Sequence, residues 1–159
     1  MLNSIKVLDC TLRDGGYYTN WDFSRSTVIN YVKAMDELPI DIIEIGYRSI
    51  SKEEYYGEFF YTPINTIDSI KQITNKPIAL ILNERELNNG DIEYLLKPCL
   101  NKIFLIRLAV DPSNLGGAIL KAKYIKSMGF KVAFNVMYLS DWIDDEIFLL
   151  NFKGIENYI

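Results

Sequence analysis

The run Asp9-Cys10-Thr11-Leu12-Arg13-Asp14-Gly15-Gly16-Tyr17-Tyr18 follows the first apolar stretch of the chain, Ile5–Cys10, and its reading decides the fold. As backbone, Asp-Gly-Gly spells a tight turn with residues at positive φ, and Arg13 is simply solvated. As chemistry, Asp14 offers hard carboxylate oxygens to a divalent cation, and Arg13 beside it stabilises a carboxylate or an enolate. Taken alone, the run leaves both readings open. It does speak against a flavin-phosphate loop, which needs Ser, Thr and Gly where Leu12-Arg13-Asp14 stands.

Outward from this run, short apolar stretches alternate with helical patterns. Strands are expected over Ile5–Cys10, Asp41–Tyr47, Ile78–Leu82, Ile103–Val110 and Lys131–Met137. Between the first two, apolar residues at 28, 29, 32, 35 and 38 mark one buried face of a helix over Ser26–Leu38, with Ser26 as its N-cap. Further helices are expected from Thr62 or Pro63 to Thr74, over Asp91–Leu96, over Ser113–Met128, and over Asp141–Asn151 with Ser140 as cap. Strands alternating with helices, without hairpin signals, predict a parallel α/β sheet. Pro39, Pro77, Pro98, Gly129 and Gly154 each stop a helix before an apolar run, and the fifth leads into Gly154–Ile159, the expected start of a sixth strand.

Five such units complete a flavodoxin-like doubly wound domain, or they form most of a (β/α)8 barrel of about 250 residues. Counting favours the first; an unfinished sixth strand, which leaves a sheet edge uncovered, favours the second. A receiver-like phosphoacceptor fold wants Asp at the end of strand three and Lys at the end of strand five. Asn83 and Met137 or Tyr138 stand there, and Gly116-Gly117 forms no dinucleotide fingerprint.

The chain has 159 residues, 49% of them hydrophobic, which excludes general disorder and fits one domain's worth of chain. Its net charge of −4, with no cluster of Lys and Arg, argues against nucleic-acid and anionic-membrane partners. No apolar run approaches the roughly 20 residues that span a bilayer. The N-terminus has no cationic start followed by an apolar stretch, so a cytoplasmic protein is expected. Cys10 and Cys99 match no metal or redox spacing and read as buried free thiols. The chain contains no histidine, which removes the commonest general base and the commonest transition-metal ligand.

Three expected strands carry a polar residue inside an apolar run: Glu44 in Ile42–Arg48, Arg107 in Phe104–Ala109, and Asn135 in Ala133–Met137. A carboxylate in such a place needs a partner, and Arg13 or Arg48 could supply it. Each of the three singly fits core hydrogen bonding; together with the first loop they fit the mouth of a barrel. The aromatic segment Tyr55–Tyr61 after strand two fits a cover for that mouth, a subunit interface, or ordinary packing against the first helix.

The stretch Asp9–Gly16, with Glu44-Ile45-Gly46-Tyr47 on strand two, resembles the DRE-TIM metallolyase family, which includes hydroxymethylglutaryl-CoA lyase, 4-hydroxy-2-oxovalerate aldolase and the isopropylmalate and homocitrate synthases. The resemblance implies an α/β partial TIM (β/α)8 barrel: about five βα units plus the start of a sixth strand, with residues 1–159 as the N-terminal portion of a longer barrel domain. It implies Asp14 as a ligand of Mg²⁺ or Mn²⁺, Arg13 as the cation facing an enolate, and Glu44 as the acid that holds this corner together. Arg107 and Asn135 would line the substrate cavity. The implied activity is metal-dependent cleavage or formation of a carbon–carbon bond in a small oxo-acid substrate.

Two departures go with the resemblance. The family completes its metal site with a His-x-His pair, absent here, so the 159 residues alone are expected to be inactive. The aldolase branch places a catalytic His three residues after the metal Asp, where this chain has Tyr17, an acid–base candidate or an aromatic lining residue. A non-catalytic assembly or binding module derived from a barrel, and a self-contained flavodoxin-like binding domain, stand as alternatives. Uncovered barrel edges make a homo-oligomer a further expectation.

Overall fold

The computed structural model describes residues 5–153 and 155. Five strands form one all-parallel sheet: β1 (Leu8–Asp9), β2 (Ile42–Tyr47), β3 (Ile78–Asn83), β4 (Leu105–Val110) and β5 (Lys131–Val136). They lie side by side in chain order. Each crossover therefore steps one strand in the same direction, and crossovers of one hand place the helices on one face of the sheet. The sheet curls about the other face, giving a half-barrel. A doubly wound sheet must reverse its strand order to carry helices on both faces, so the flavodoxin-like alternative falls.

The helices are α1 (Thr11–Thr19), α2 (Arg25–Glu37), α3 (Glu58–Tyr61), α4 (Ile64–Lys71), α5 (Asn89–Leu96), α6 (Leu115–Ser127), α7 (Leu139–Trp142) and α8 (Glu146–Lys153). Ile106, Leu108 and Val110 of β4 are fully buried, as are Ala118, Ala122 and Ile125 of α6, the small residues letting helix and sheet approach. Burying each large aliphatic side chain contributes roughly 1.5–3 kcal/mol. No helix among the described residues is long and apolar enough to cross a membrane.

Several boundaries differ from expectation for local reasons. The cap of α2 is Ser24, whose extended backbone lets its hydroxyl accept from Thr27 N at 3.1 Å; Ser26 is already helical. The segment expected as one helix over Asp141–Asn151 breaks into α7 and α8, because Asp145 caps the second by accepting from Phe148 N at 2.9 Å. Ser140 thus lies inside α7. The aromatic segment contains α3, and Phe60 stacks on Tyr56 and meets Trp21 edge-on, packing beside α1 instead of against α2. Phe59 of the same helix meets Phe23, just ahead of α2. The expected start of a sixth strand lies outside the described residues except for Ile155, which is buried.

The largest difference concerns the opening run. Thr11–Thr19 is a helix and not a tight turn, with Gly15 and Gly16 helical inside it. Gly16 is there for space: a Cβ would lie 2.0 Å from the Trp21 ring. Asn20 and Trp21 both adopt left-handed backbone, ending α1 and turning the indole back onto Gly16. Gly46 answers a second close approach, since a Cβ there would lie 2.1 Å from the Phe59 carbonyl oxygen. The strand bulges at this point: Glu44 pairs with Ala79 but Tyr47 with Ile81, so one extra residue brings Tyr47 onto the same inner face as Glu44.

Candidate active site

Glu44 is fully buried on the inner face of β2 and accepts from two guanidinium groups. Arg13 Nε lies 2.9 Å from Glu44 Oε1, and Arg107 Nη1 lies 3.0 Å from each carboxylate oxygen. β4 positions Arg107 by register, since it stands opposite Ile81 and thus shares the face that carries Glu44. Helix α1 positions Arg13, whose carbonyl accepts from Trp21 Nε1 at 2.9 Å. Burial opposes charge on Arg13 most strongly, but the bond to Glu44 together with the charges of Glu44 and Asp14 outweighs it and holds the guanidinium above its ordinary pKa. Arg48, the other candidate partner, points elsewhere and donates to the carbonyls of Leu95, Tyr61 and Thr62.

Asp14 sits in the first turn of α1 with its side chain 55% exposed, in contact with Arg13 Nη1. Its other oxygen accepts from the Cys10 thiol at 3.1 Å. Cys10 is therefore a neighbour of the corner and not a purely apolar thiol; burial, then Asp14, push it up to about 11. Among the described residues no group of three His, Cys, Asp or Glu side chains is arranged to hold a metal ion. Asp14 offers one hard oxygen ligand, and a protonated thiol adds none. The residues present do not by themselves make a divalent-cation site.

The strand ends gather the remaining candidates. The Tyr17 and Tyr47 hydroxyls are 2.8 Å apart, and the Arg13 guanidinium carbon lies 6.0 Å from the centre of the Tyr47 ring. Asn135 follows Ala133, the register partner of Arg107, by two positions on β5, so it shares the inner face without joining the Glu44 cluster. Sequence reading missed Tyr47 and Trp21; the signal was a glycine inside a strand and a glycine inside a helix, each beside a large aromatic. It also missed that Asp9 ties the corner to α2, accepting from Thr11 N at 2.9 Å and from the Tyr31 hydroxyl.

No family model matches the chain. Homocitrate synthase from Pyrococcus horikoshii is 28% identical over 134 residues, covering 80% of this chain and 36% of the relative. The Archaeoglobus fulgidus protein named "Probable 2-isopropylmalate synthase" is 28% identical over 165 residues, covering 99% of this chain and 31% of the relative. The crystal structure of "the N-terminal domain of a putative aldolase" from Bacteroides vulgatus superposes with a TM-score of 0.90 at 48% identity, over 97% of this chain and 52% of that one. The chain spans about a third of the length of these two curated relatives and about half of that solved chain. By sequence and by fold, the chain is related to the DRE-TIM metallolyase family and matches the N-terminal part of its barrel.

Proposed function

We propose that this chain is the N-terminal part of a barrel aldolase or lyase that makes or breaks a carbon–carbon bond beside the carbonyl of a small oxo-acid. The observation that carries this reading is the Glu44 clamp, in which two guanidinium groups share one buried carboxylate on the inner face. Both guanidinium groups are largely removed from water, with Asp14 set against Arg13 at the exposed side, and in such a setting fixed donors best stabilise a developing oxyanion.

In this reading Arg13 faces the enolate oxygen and Glu44 fixes it there. Arg107, with a single nitrogen committed to Glu44, turns its remaining N–H groups to the substrate carboxylate. Asn135 lines the same cavity, and Tyr17 holds a proton at its rim. Asp14 would offer one carboxylate oxygen to a Mg²⁺ or Mn²⁺ ion held together with other ligands, and such an ion would polarise the substrate oxygens.

The test is exchange of the methyl protons of pyruvate in D₂O, read by ¹H NMR on the full polypeptide that carries this chain, with Mn²⁺ present. Exchange is expected in the unmodified protein and is expected to vanish in Arg13→Lys and in Asp14→Asn. Exchange undiminished in both variants would overturn the reading. A second reading, a metal-free oxo-acid-binding module, is favoured by the absence of histidine and the single hard ligand. It predicts quenching of Trp fluorescence by oxalate without Mn²⁺, and no exchange at all.

A further inference from the structure

We propose that Tyr47 is a positioning residue that sets the Tyr17 phenol beside Arg13 and leaves the Tyr17 hydroxyl hydrogen free for a substrate oxygen. The inference rests on the aldolase reading above and deepens it.

Four observations converge on Tyr47. The bulge at Gly46 turns its side chain to the inner face, where strict alternation would have sent it outward to the helices. Its ring lies beside the Arg13 guanidinium and its hydroxyl meets that of Tyr17, so one side chain touches both groups assigned to the chemistry. Trp21 packs edge-on against both rings, with centroids 4.7 Å from Tyr17 and 5.7 Å from Tyr47, and fixes their separation. The two phenols are also unequal: Tyr47 is 8% exposed and Tyr17 62%.

That inequality sets the direction of the hydrogen bond. Of the two groups near the buried Tyr47 hydroxyl, the Arg13 guanidinium can only donate, so the Tyr47 hydrogen goes to the Tyr17 oxygen, whereas a rim hydroxyl has solvent and substrate to choose from. Burial, then the bond to Tyr17, push the Tyr47 phenol well above the ordinary tyrosine range, so it keeps its proton and lends it to the Tyr17 oxygen. Tyr17 then has its acceptor site filled and its own hydrogen directed away from Tyr47. This is the arrangement of an oriented proton donor.

The test uses Tyr47→Phe, which keeps the ring that packs on Trp21 and removes only the hydroxyl. In the pyruvate exchange assay it is expected to lower the turnover rate about 10- to 100-fold with little change in half-saturating pyruvate. Tyr17→Phe should fall as far, and the double variant no further. Independently, 3-fluorotyrosine placed at position 17 should give a shifted ¹⁹F resonance that collapses toward the free-tyrosine value in Tyr47→Phe, with unchanged far-ultraviolet circular dichroism. A resonance indifferent to Tyr47→Phe, or exchange undiminished by it, overturns the inference alone. Absence of exchange in the unmodified protein overturns the aldolase reading, and the inference with it.

Discussion

Arg107 Nη1 lies midway between the two carboxylate oxygens of Glu44, 3.0 Å from each, although 63 positions separate the residues. The contact closes a loop from β2 across β3 to β4, and Arg13 adds a second guanidinium from α1. Glu44→Gln would remove the carboxylate shared by the two cations while keeping the shape, leaving Arg13 with Asp14 alone. Breaking a buried ion pair by deleting one partner costs about 3–5 kcal/mol, here because Arg107 stays desolvated without its carboxylate. Urea unfolding of the variant should show a loss of that size. A loss below about 1 kcal/mol would mean that the clamp is solvated and that its cations need no counter-charge.

Two glycines on helices should respond to alanine with opposite sign. At Gly16 a Cβ would lie 2.0 Å from the Trp21 ring, so the indole must leave its seat, with a cost of about 1–3 kcal/mol from overpacking. With Trp142→Phe as background, the emission of Trp21 should shift to the red. At Gly116 a Cβ would meet nothing within 4 Å, and helix propensity alone then acts, stabilising by up to about 1 kcal/mol. Equal effects at the two positions would contradict the notch described at Gly16.

A second buried carboxylate has no place in the chemistry. Glu84, at the end of β3, accepts from Lys121 Nζ at 2.9 Å and from Asn114 Nδ2 at 2.9 and 3.1 Å, and Lys121 also donates to the Glu84 carbonyl. This clasp ties the loop after β3 to α6. Lys121→Met should destabilise by about 3–5 kcal/mol, and adding Glu84→Gln should return part of the loss, since the unpaired charge goes with it. Additive losses in a double-mutant cycle by urea unfolding would show that the pair is not coupled.

The contrast between Glu44 and Glu84 shows what the sequence could reveal. Glu44 interrupts an apolar strand, and an ionisable group there announces a partner; the pairing with Arg13 follows from the same reasoning, while Arg48 was an equally legible candidate that the fold sends to backbone carbonyls. Glu84 lies in Asn83-Glu84-Arg85-Glu86, a polar run that reads as a solvated loop, and only tertiary packing buries it. The five strands were legible as short, mostly apolar runs set between helical patterns, although the first, expected over Ile5–Cys10, pairs only over Leu8–Asp9. The helix over Thr11–Thr19 was not, because Asp-Gly-Gly has poor helix propensity and is held helical by Trp21, whose seat requires the very glycine that misleads. Tyr47 was hidden for a related reason: alternation counts residues, and a bulge adds one that no periodicity shows.

β1 has only two paired residues, so its attachment rests on contacts beyond the ladder. Asp41, just ahead of β2, accepts from Lys6 Nζ at 2.9 Å and from the Val7 amide at 2.8 Å, and these bonds pin the approach to β1. The bond from Lys6, then that from Val7, hold the Asp41 carboxyl below its ordinary pKa of 3.8. A carboxyl depressed in the folded state contributes stability that is fully present above its unfolded value and is lost as pH falls through the folded one. The difference between the unmodified protein and Asp41→Asn should therefore be constant from pH 7 to about 5, shrink below about 4, and vanish in stronger acid. Because the pair is exposed, added salt should reduce the difference. Amide exchange at Leu8 and Asp9, measured against pH in both proteins, reads the effect at the strand itself. A difference that persists undiminished at pH 2 would mean that the substituted side chain fails for steric reasons, and that the charge on Asp41 is not what fastens β1 to β2.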